Sequence, residues 1–233
     1  VFFCKQKSAY DIVFVDWSSD WCSSELKPRE ELRIKRGHPW VDDNEIAFVE
    51  GSPPPGAEVS LFDSKASFLG KGFFNPSSKI RLRLYSRTGE KADKAFFEKA
   101  FSEALAWRRR FFDDKKESQR IVFGEADNLP GLIVVLFVGQ VDAGKPEPGP
   151  VGRWLSCQFL SLGVELRKAE IVRSLAGILA PDGIVERSEA PVRALEGLEA
   201  SSGVLYGTVP GNVLIREGEA VFSVDLSEGQ KTG

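Results

Sequence analysis

Lys79-Ile80-Arg81-Leu82-Arg83-Leu84-Tyr85 alternates strictly between aliphatic side chains and cationic or aromatic ones. In an extended chain successive side chains point to opposite faces. Ile80, Leu82 and Leu84 therefore share one face, and Lys79, Arg81, Arg83 and Tyr85 the other. The neighbours that such an aliphatic face needs lie upstream. Glu45–Val49, Ala57–Phe62 and Phe68–Phe74 are short runs rich in Val, Ile, Leu and Phe, and Leu32–Arg36 reads as a further strand leading into the turn Gly37-His38-Pro39-Trp40. Gly51-Ser52-Pro53-Pro54-Pro55-Gly56 is a stiff loop between two of these strands. Short strands at this spacing predict a small barrel or sandwich over Lys27–Arg87.

The polar face of Lys79–Tyr85 has two readings. Three cations and a ring on one strand face neutralise phosphates while Tyr85 stacks on a base. Alternatively the strand is simply amphipathic and turns a basic face to water.

After Arg87 the pattern changes. Over Ala92–Phe112, the residues Phe97, Phe101, Leu105 and Phe112 form one helical stripe. Arg108-Arg109-Arg110 near its end sits where the macrodipole favours cations, and reads as mainly structural. Strands are predicted at Arg120–Phe123, Leu132–Val138, Trp154–Leu160 and Gly183–Arg187, with a turn at Glu125–Gly131, a Gly/Pro-rich loop at Asp142–Arg153 and a helix at Val164–Leu179. A short helical piece at Ala190–Leu195 and strands near Val204–Tyr206, Val213–Arg216 and Ala220–Leu226 follow. The fold class is thus α+β, an all-β opening followed by a mixed layer.

Composition narrows the function classes. The formal charge of −3 excludes a uniformly basic nucleic-acid coat and leaves only local patches. The longest apolar run, Leu132–Val138, is far short of the roughly 20 residues of a bilayer span, so the chain reads as soluble and cytoplasmic, with no membrane partner. Three cysteines and one histidine support neither a metal site nor a disulfide framework. The absence of methionine points to a fragment. Val1–Leu26 fits no targeting pattern; its Asp16–Leu26 run resembles translated sequencing adapter, and Val1–Leu26 is set aside as a non-native lead.

Little catalytic machinery is legible. No Gly-x-Gly-x-x-Gly or Walker-type loop occurs, and Gly70-Lys71-Gly72 sits inside a strand pattern, where glycine marks a bulge or close backbone approach. His38 reads as a structural turn residue, and Cys157 as a core thiol with no base beside it in sequence. Glu186-Arg187-Ser188-Glu189 with Arg193 and Glu196 is a dense charge cluster, either a partly buried ion network or an interdomain contact. A weaker reading makes the Glu186–Glu189 carboxylates catalytic.

Several stretches, taken in order, resemble the bacterial large-subunit ribosomal RNA methyltransferases that make 5-methylcytosine and begin with a PUA domain. They are Arg36-Gly37-His38-Pro39-Trp40-Val41, Leu69-Gly70-Lys71-Gly72-Phe73-Phe74-Asn75-Pro76-Ser77-Ser78-Lys79-Ile80, Phe123–Gly131, Glu186-Arg187-Ser188-Glu189, Val192-Arg193 through Glu196-Gly197-Leu198, Val224-Asp225-Leu226 and Gly229-Gln230-Lys231-Thr232-Gly233. The resemblance implies a PUA RNA-binding barrel at 27–87, an intervening α+β domain at 88–200, and the opening strands of a truncated methyltransferase domain at 201–233. It implies S-adenosylmethionine as the parent family's cofactor, with none expected to bind this fragment, because the cofactor loop and nucleophilic cysteine of the family lie further on. The parent reaction would add a cysteine to the pyrimidine ring, transfer the methyl group, then eliminate. No catalytic residue is assigned in this chain. The partner expected is ribosomal RNA, with Arg36, Lys71, Lys79, Arg81 and Arg83 on phosphates and Tyr85 or Trp40 stacking. A free-standing PUA-type RNA-binding adaptor is the alternative.

Overall fold

A computed structural model describes residues 22–142 and 150–227. The remainder of the lead before Cys22, part of the Asp142–Arg153 loop and the Gly229–Gly233 motif lie outside the described residues.

The first unit comprises Ser23–Leu26 (β1), Glu31–Lys35 (α1), Trp40–Asp42 (β2), Ile46–Glu50 (β3), Glu58–Phe62 (β4), Phe68–Phe74 (β5) and Ile80–Ser86 (β6). Its six strands run in the order β2-β6-β5-β4-β1-β3, antiparallel except for β1 beside β4. Leu26, Ile34, Val41, Val59, Leu61 and Leu82 close its core with almost no exposure. Two expectations are corrected here. Ser23–Leu26, expected to belong to a non-native lead, is an interior strand of this sheet, paired with both β3 and β4, and Leu26 is fully buried. The strand expected at Leu32–Arg36 is mostly helix α1. Only Ile34 is buried in that segment, and Glu31 leads while Arg33 and Lys35 trail, as the macrodipole prefers.

The second unit holds Lys94–Arg108 (α2), Gln119–Phe123 (β7), Leu132–Val141 (β8), Val151–Phe159 (β9), Leu162–Glu165 (α3), Lys168–Leu179 (α4), Gly183–Ser188 (β10), Ser201–Gly207 (β11), Asn212–Glu217 (β12) and Ala220–Asp225 (β13). The strand order is β11-β10-β9-β8-β12-β13, with β7 also on β8. Only β9 and β10 are parallel, joined through α3 and α4, as a parallel pair requires a crossover. Of the expected stripe, Phe97, Phe101 and Leu105 pack with Leu132, Leu136, Ile171 and Leu175 in one core, whereas Phe112 lies beyond the end of α2 and is exposed. β11–β13, expected to open a further domain, hydrogen-bond into this same sheet through β10 and β8. The mixed α and β class with a small β unit in front is as expected.

The units meet along β5 and β6. Phe73 and Tyr85 come from the first sheet but belong to the second unit's core, their rings stacked at 4.6 Å. Gly163 in α3 makes the approach possible: a Cβ there would lie 2.2 Å from Phe73 Cγ. We expect Gly163→Ala to overpack this seam and destabilise the chain by about 1–3 kcal/mol, read as a lowered urea midpoint. An unchanged midpoint would show that Phe73 has room to move.

Candidate nucleic-acid interface

The alternation in β6 is real, but from Leu82 onward both of its faces are covered. Leu82 and Leu84 enter the first unit's core. Arg83 is only 9% exposed and faces the second unit. Its Nη2 and Nε donate to Glu196 Oε1 at 2.8 and 3.3 Å, and its Nη1 lies 3.4 Å from Glu125 Oε1. Glu196 ends the 3-10 segment Pro191–Glu196 and is itself buried. It also accepts from Ser78 Oγ at 2.9 Å, Asn75 Nδ2 at 3.0 Å and the Leu162 backbone N–H at 3.3 Å. Burial pushes the Glu196 carboxyl up, but Arg83 together with the Asn75 and Ser78 hydrogen bonds outweighs it and holds the group below its ordinary value.

A second polar knot surrounds Glu58 on β4. It accepts from the Tyr85 hydroxyl at 2.6 Å and the Ala92 N–H at 3.3 Å, and pairs with Arg167 at 3.3 Å and Lys71 at 3.4 Å. The Arg167 guanidinium also lies 4.3 Å from the Phe73 ring centroid. Burial raises the Glu58 carboxyl, and the Tyr85 and Ala92 hydrogen bonds bring it below normal. Burial and Glu58 push the Tyr85 phenol far up.

Two site expectations are therefore corrected. Arg83 is neutralised inside the protein by carboxylates and does not present itself to phosphate. Tyr85 is 2% exposed and stacks on Phe73 rather than on a base. Lys71 is half-buried on Glu58. Trp40 is half-buried under the Arg83 guanidinium, and its Nε1–H donates to Glu125 at 2.8 Å. Arg81 is partly exposed, donates to the Pro76 carbonyl and lies 3.9 Å from Asp43. Arg36 and Lys79 are exposed and carry no ion pair among the described residues. They are not neighbours. Lys79 precedes β6, while Arg36 follows α1, whose end is tied by Arg87 to the far end of that strand.

The other singled-out residues are structural in their contacts. His38 Nδ1 accepts from the Trp40 N–H at 3.2 Å. Cys157 is fully buried, and burial, then Glu186, pushes its thiol up and away from nucleophilic character. The charge cluster is both an ion network and a contact between the units. Glu196 bridges the units, while Lys168 holds Glu165 and Glu186 at 2.6 and 2.8 Å and Arg193 holds Glu165 at 2.9 Å. Missed in the sequence were Glu58, Glu125 and Arg167; the available signal was an acid interrupting an aliphatic strand beside basic ones. Among the described residues no His/Cys/Asp/Glu cluster suits a metal ion, and no helix is long and apolar enough to cross a membrane.

Residues 25–87 match the family of PUA-like domains. Over 210 residues the chain is 33% identical to ribosomal RNA large subunit methyltransferase I of Alteromonas mediterranea and 35% identical to that of Vibrio parahaemolyticus, covering 89% of this chain and 49% of each relative. The chain thus spans about half the length of the curated relatives it matches. The fold is similar to that of a Streptococcus mutans protein assigned as a SAM-dependent methyltransferase, with a TM-score of 0.68 at 18% identity, over 89% of this chain and 49% of that one. A crystal structure of an assigned methyltransferase complexed with SAH matches equally well.

Removing the Glu196 charge leaves Arg83 with only the longer Glu125 contact. Breaking a buried pair from one side costs about 3–5 kcal/mol, so Glu196→Gln is expected to lower stability by about 3 kcal/mol at neutral pH. Because folding depresses the Glu196 pKa, its contribution is complete above the ordinary value of 4.5 and is lost as pH falls through the lower folded value. The stability gap between wild type and Glu196→Gln should therefore narrow below pH 4.5. A gap that stays constant down to acid unfolding refutes this account of the hub.

Proposed function

We propose that this chain, with its PUA-like domain at residues 25–87, is the RNA-binding and RNA-orienting portion of an S-adenosylmethionine-dependent large-subunit ribosomal RNA methyltransferase that makes 5-methylcytosine. The observation that carries the reading is a similarity to ribosomal RNA large subunit methyltransferases over 89% of the chain, a share that takes in both sheets. Ribosomal RNA is the partner and the cytoplasm the compartment.

In this reading the first unit supplies phosphate contacts from Arg36 and Lys79, with Arg81 partly available and Trp40 offering a half-exposed ring. Lys71 lies at the margin, tethered to Glu58. Within the second unit, the stretch from Thr88 to Ala200 acts as a spacer, and the strands from Ser201 onward lead toward the catalytic part. RNA gripped on one unit inherits a defined orientation relative to the other, because the Glu196 and Glu58 knots allow little rotation between them. Such positioning contacts fix register rather than read bases.

S-adenosylmethionine would supply an electrophilic methyl group. The described residues do not fit it at the place a βαβ unit offers, the β9–α3 turn. There the space beside Gly163 is taken by the Phe73 ring, and no glycine-rich loop precedes the helix. No step of methyl transfer is accordingly routed through this chain, and the chemistry is assigned to the length of the relatives that it does not match.

The test is a fluorescence-anisotropy titration of the chain with a large-subunit ribosomal RNA transcript at several salt concentrations. Each phosphate neutralised on a single strand contributes about −0.7 to the slope of log K against log salt. Arg36→Glu with Lys79→Glu should weaken binding and flatten the slope by about 1.4. Identical affinity and slope would remove these two residues, and the surface they define, from the RNA contact.

A further inference from the structure

The end of α2 and the neighbouring strand β7 carry large rings that no core absorbs. Trp107 is 56% exposed, Phe111 66% and Phe123 50%, and Phe112 is exposed beside them. Trp107 and Phe111 meet edge to face at 5.7 Å. Two guanidinium groups rest on ring faces here, Arg110 at 4.9 Å from the Trp107 centroid and Arg120 at 4.5 Å from that of Phe123. The rings are not on a loose tail. The N–H groups of Arg110, Phe111 and Phe112 close a hydrogen-bonded turn onto Trp107 and Arg108. Arg108 then clamps that turn to β7: its Nε donates to the Arg120 carbonyl at 3.0 Å, and its two terminal nitrogens donate to Asp127 at 2.6 and 2.7 Å. Asp127 in turn accepts the Phe123 N–H at 2.7 Å.

Charge favours one kind of occupant. Residues 107–123 contain six cations and three acids, and Asp127, which holds Arg108, makes four acids, leaving a local surplus of +2 in a chain whose net charge is −3, with Arg109 paired to Asp114 and Lys116 to Asp113. An apolar protein surface has no use for that surplus, whereas unpaired nucleotides match both parts of it. Bases stack on exposed rings and guanidinium planes, and phosphates meet the cations.

We infer that the Trp107–Phe123 face is a second RNA-binding surface, a stacking platform for unpaired bases, separate from the cations of the PUA-like unit. The choice of RNA as the polymer rests on the function proposed above; the platform itself rests on the rings and their cations. A duplex keeps its bases stacked internally and is a poor ligand for it.

The test titrates the full chain with an unstructured fluorescent RNA of about 12 nucleotides and with a duplex of equal length, beside Arg36→Glu with Lys79→Glu as a comparison. Trp107→Ala with Phe111→Ala removes only exposed rings, and an unchanged circular dichroism spectrum and urea midpoint verify folding. The double variant should lose about tenfold in affinity for the unpaired RNA and little for the duplex. In wild type, the unpaired RNA should quench tryptophan emission. Unchanged affinity of the double variant overturns the inference, even where the Arg36/Lys79 variant binds weakly and the PUA-like surface stands. An equal loss on duplex overturns the preference for unpaired bases, and with it the stacking platform. Loss of self-association in sedimentation, with RNA binding intact, overturns it in favour of a second copy of this chain.

Discussion

A guanidinium removed from water must find its charge and its hydrogen bonds answered within the protein, and that requirement at Arg83 organises the rest of the molecule. The desolvation of such a pair costs several kcal/mol per ion, and is offset only where geometry is good and the remaining lone pairs are used. Glu196 meets the condition. One of its carboxylate oxygens takes Arg83 and Ser78, while the other takes Asn75 and the Leu162 N–H. The donors come from β6, from the turn before it and from the start of α3, so satisfying one carboxylate fixes three pieces of backbone from two units.

The consequence for function is geometric. A PUA-like unit joined by a polar linker alone would sample many orientations, and RNA bound to it would do the same. Here the seam has a polar knot on Glu196, a second on Glu58 and an aromatic contact between Phe73 and Tyr85, with Arg167 serving both the Glu58 carboxylate and the Phe73 ring. Interfaces between domains are commonly more polar and more mobile than cores. In this seam the polar groups are buried and mutually satisfied, which converts polarity into rigidity. Of the five cations singled out from the sequence, Arg83 and Lys71 are consumed in doing so.

Most of the secondary structure was legible because the apolar periodicities are strong. Phe68–Phe74 coincides with β5, and the Phe97, Phe101, Leu105 stripe is the buried face of α2. The α1 segment was missed because five residues with one buried position carry too little period to separate helix from strand. The site was less legible, for a different reason. Alternation tells which side chains share a face and says nothing of what that face meets. The acids that meet Arg83 lie 42 and 113 residues away in sequence, and Glu196 stood out only as part of a charge cluster with two readings. Arg36 and Lys79 stay on the surface, and nothing in their local sequence distinguishes them from Arg83.

The strands suggest how surface and interior are sorted in this chain. β6 packs on both faces although its pairing shifts, between Leu84 and Ser86 against β5 and between Ile80 and Leu82 against β2; Leu82 to Ser86 are all buried, and its polar face forms the seam. β7 breaks alternation. A register shift between Arg120 and Val122 lets Ile121 and Val122 both turn into the core, and so leaves Arg120 and Phe123 together outside, where a regular strand would put them on opposite faces. The cost is a local disruption of pairing on an edge strand, where pairing is least constrained. The gain is a cation seated over an exposed ring at 4.5 Å. An irregular step therefore does not by itself sort surface from interior: in β6 it accompanies burial, whereas in β7 it turns a ring to solvent.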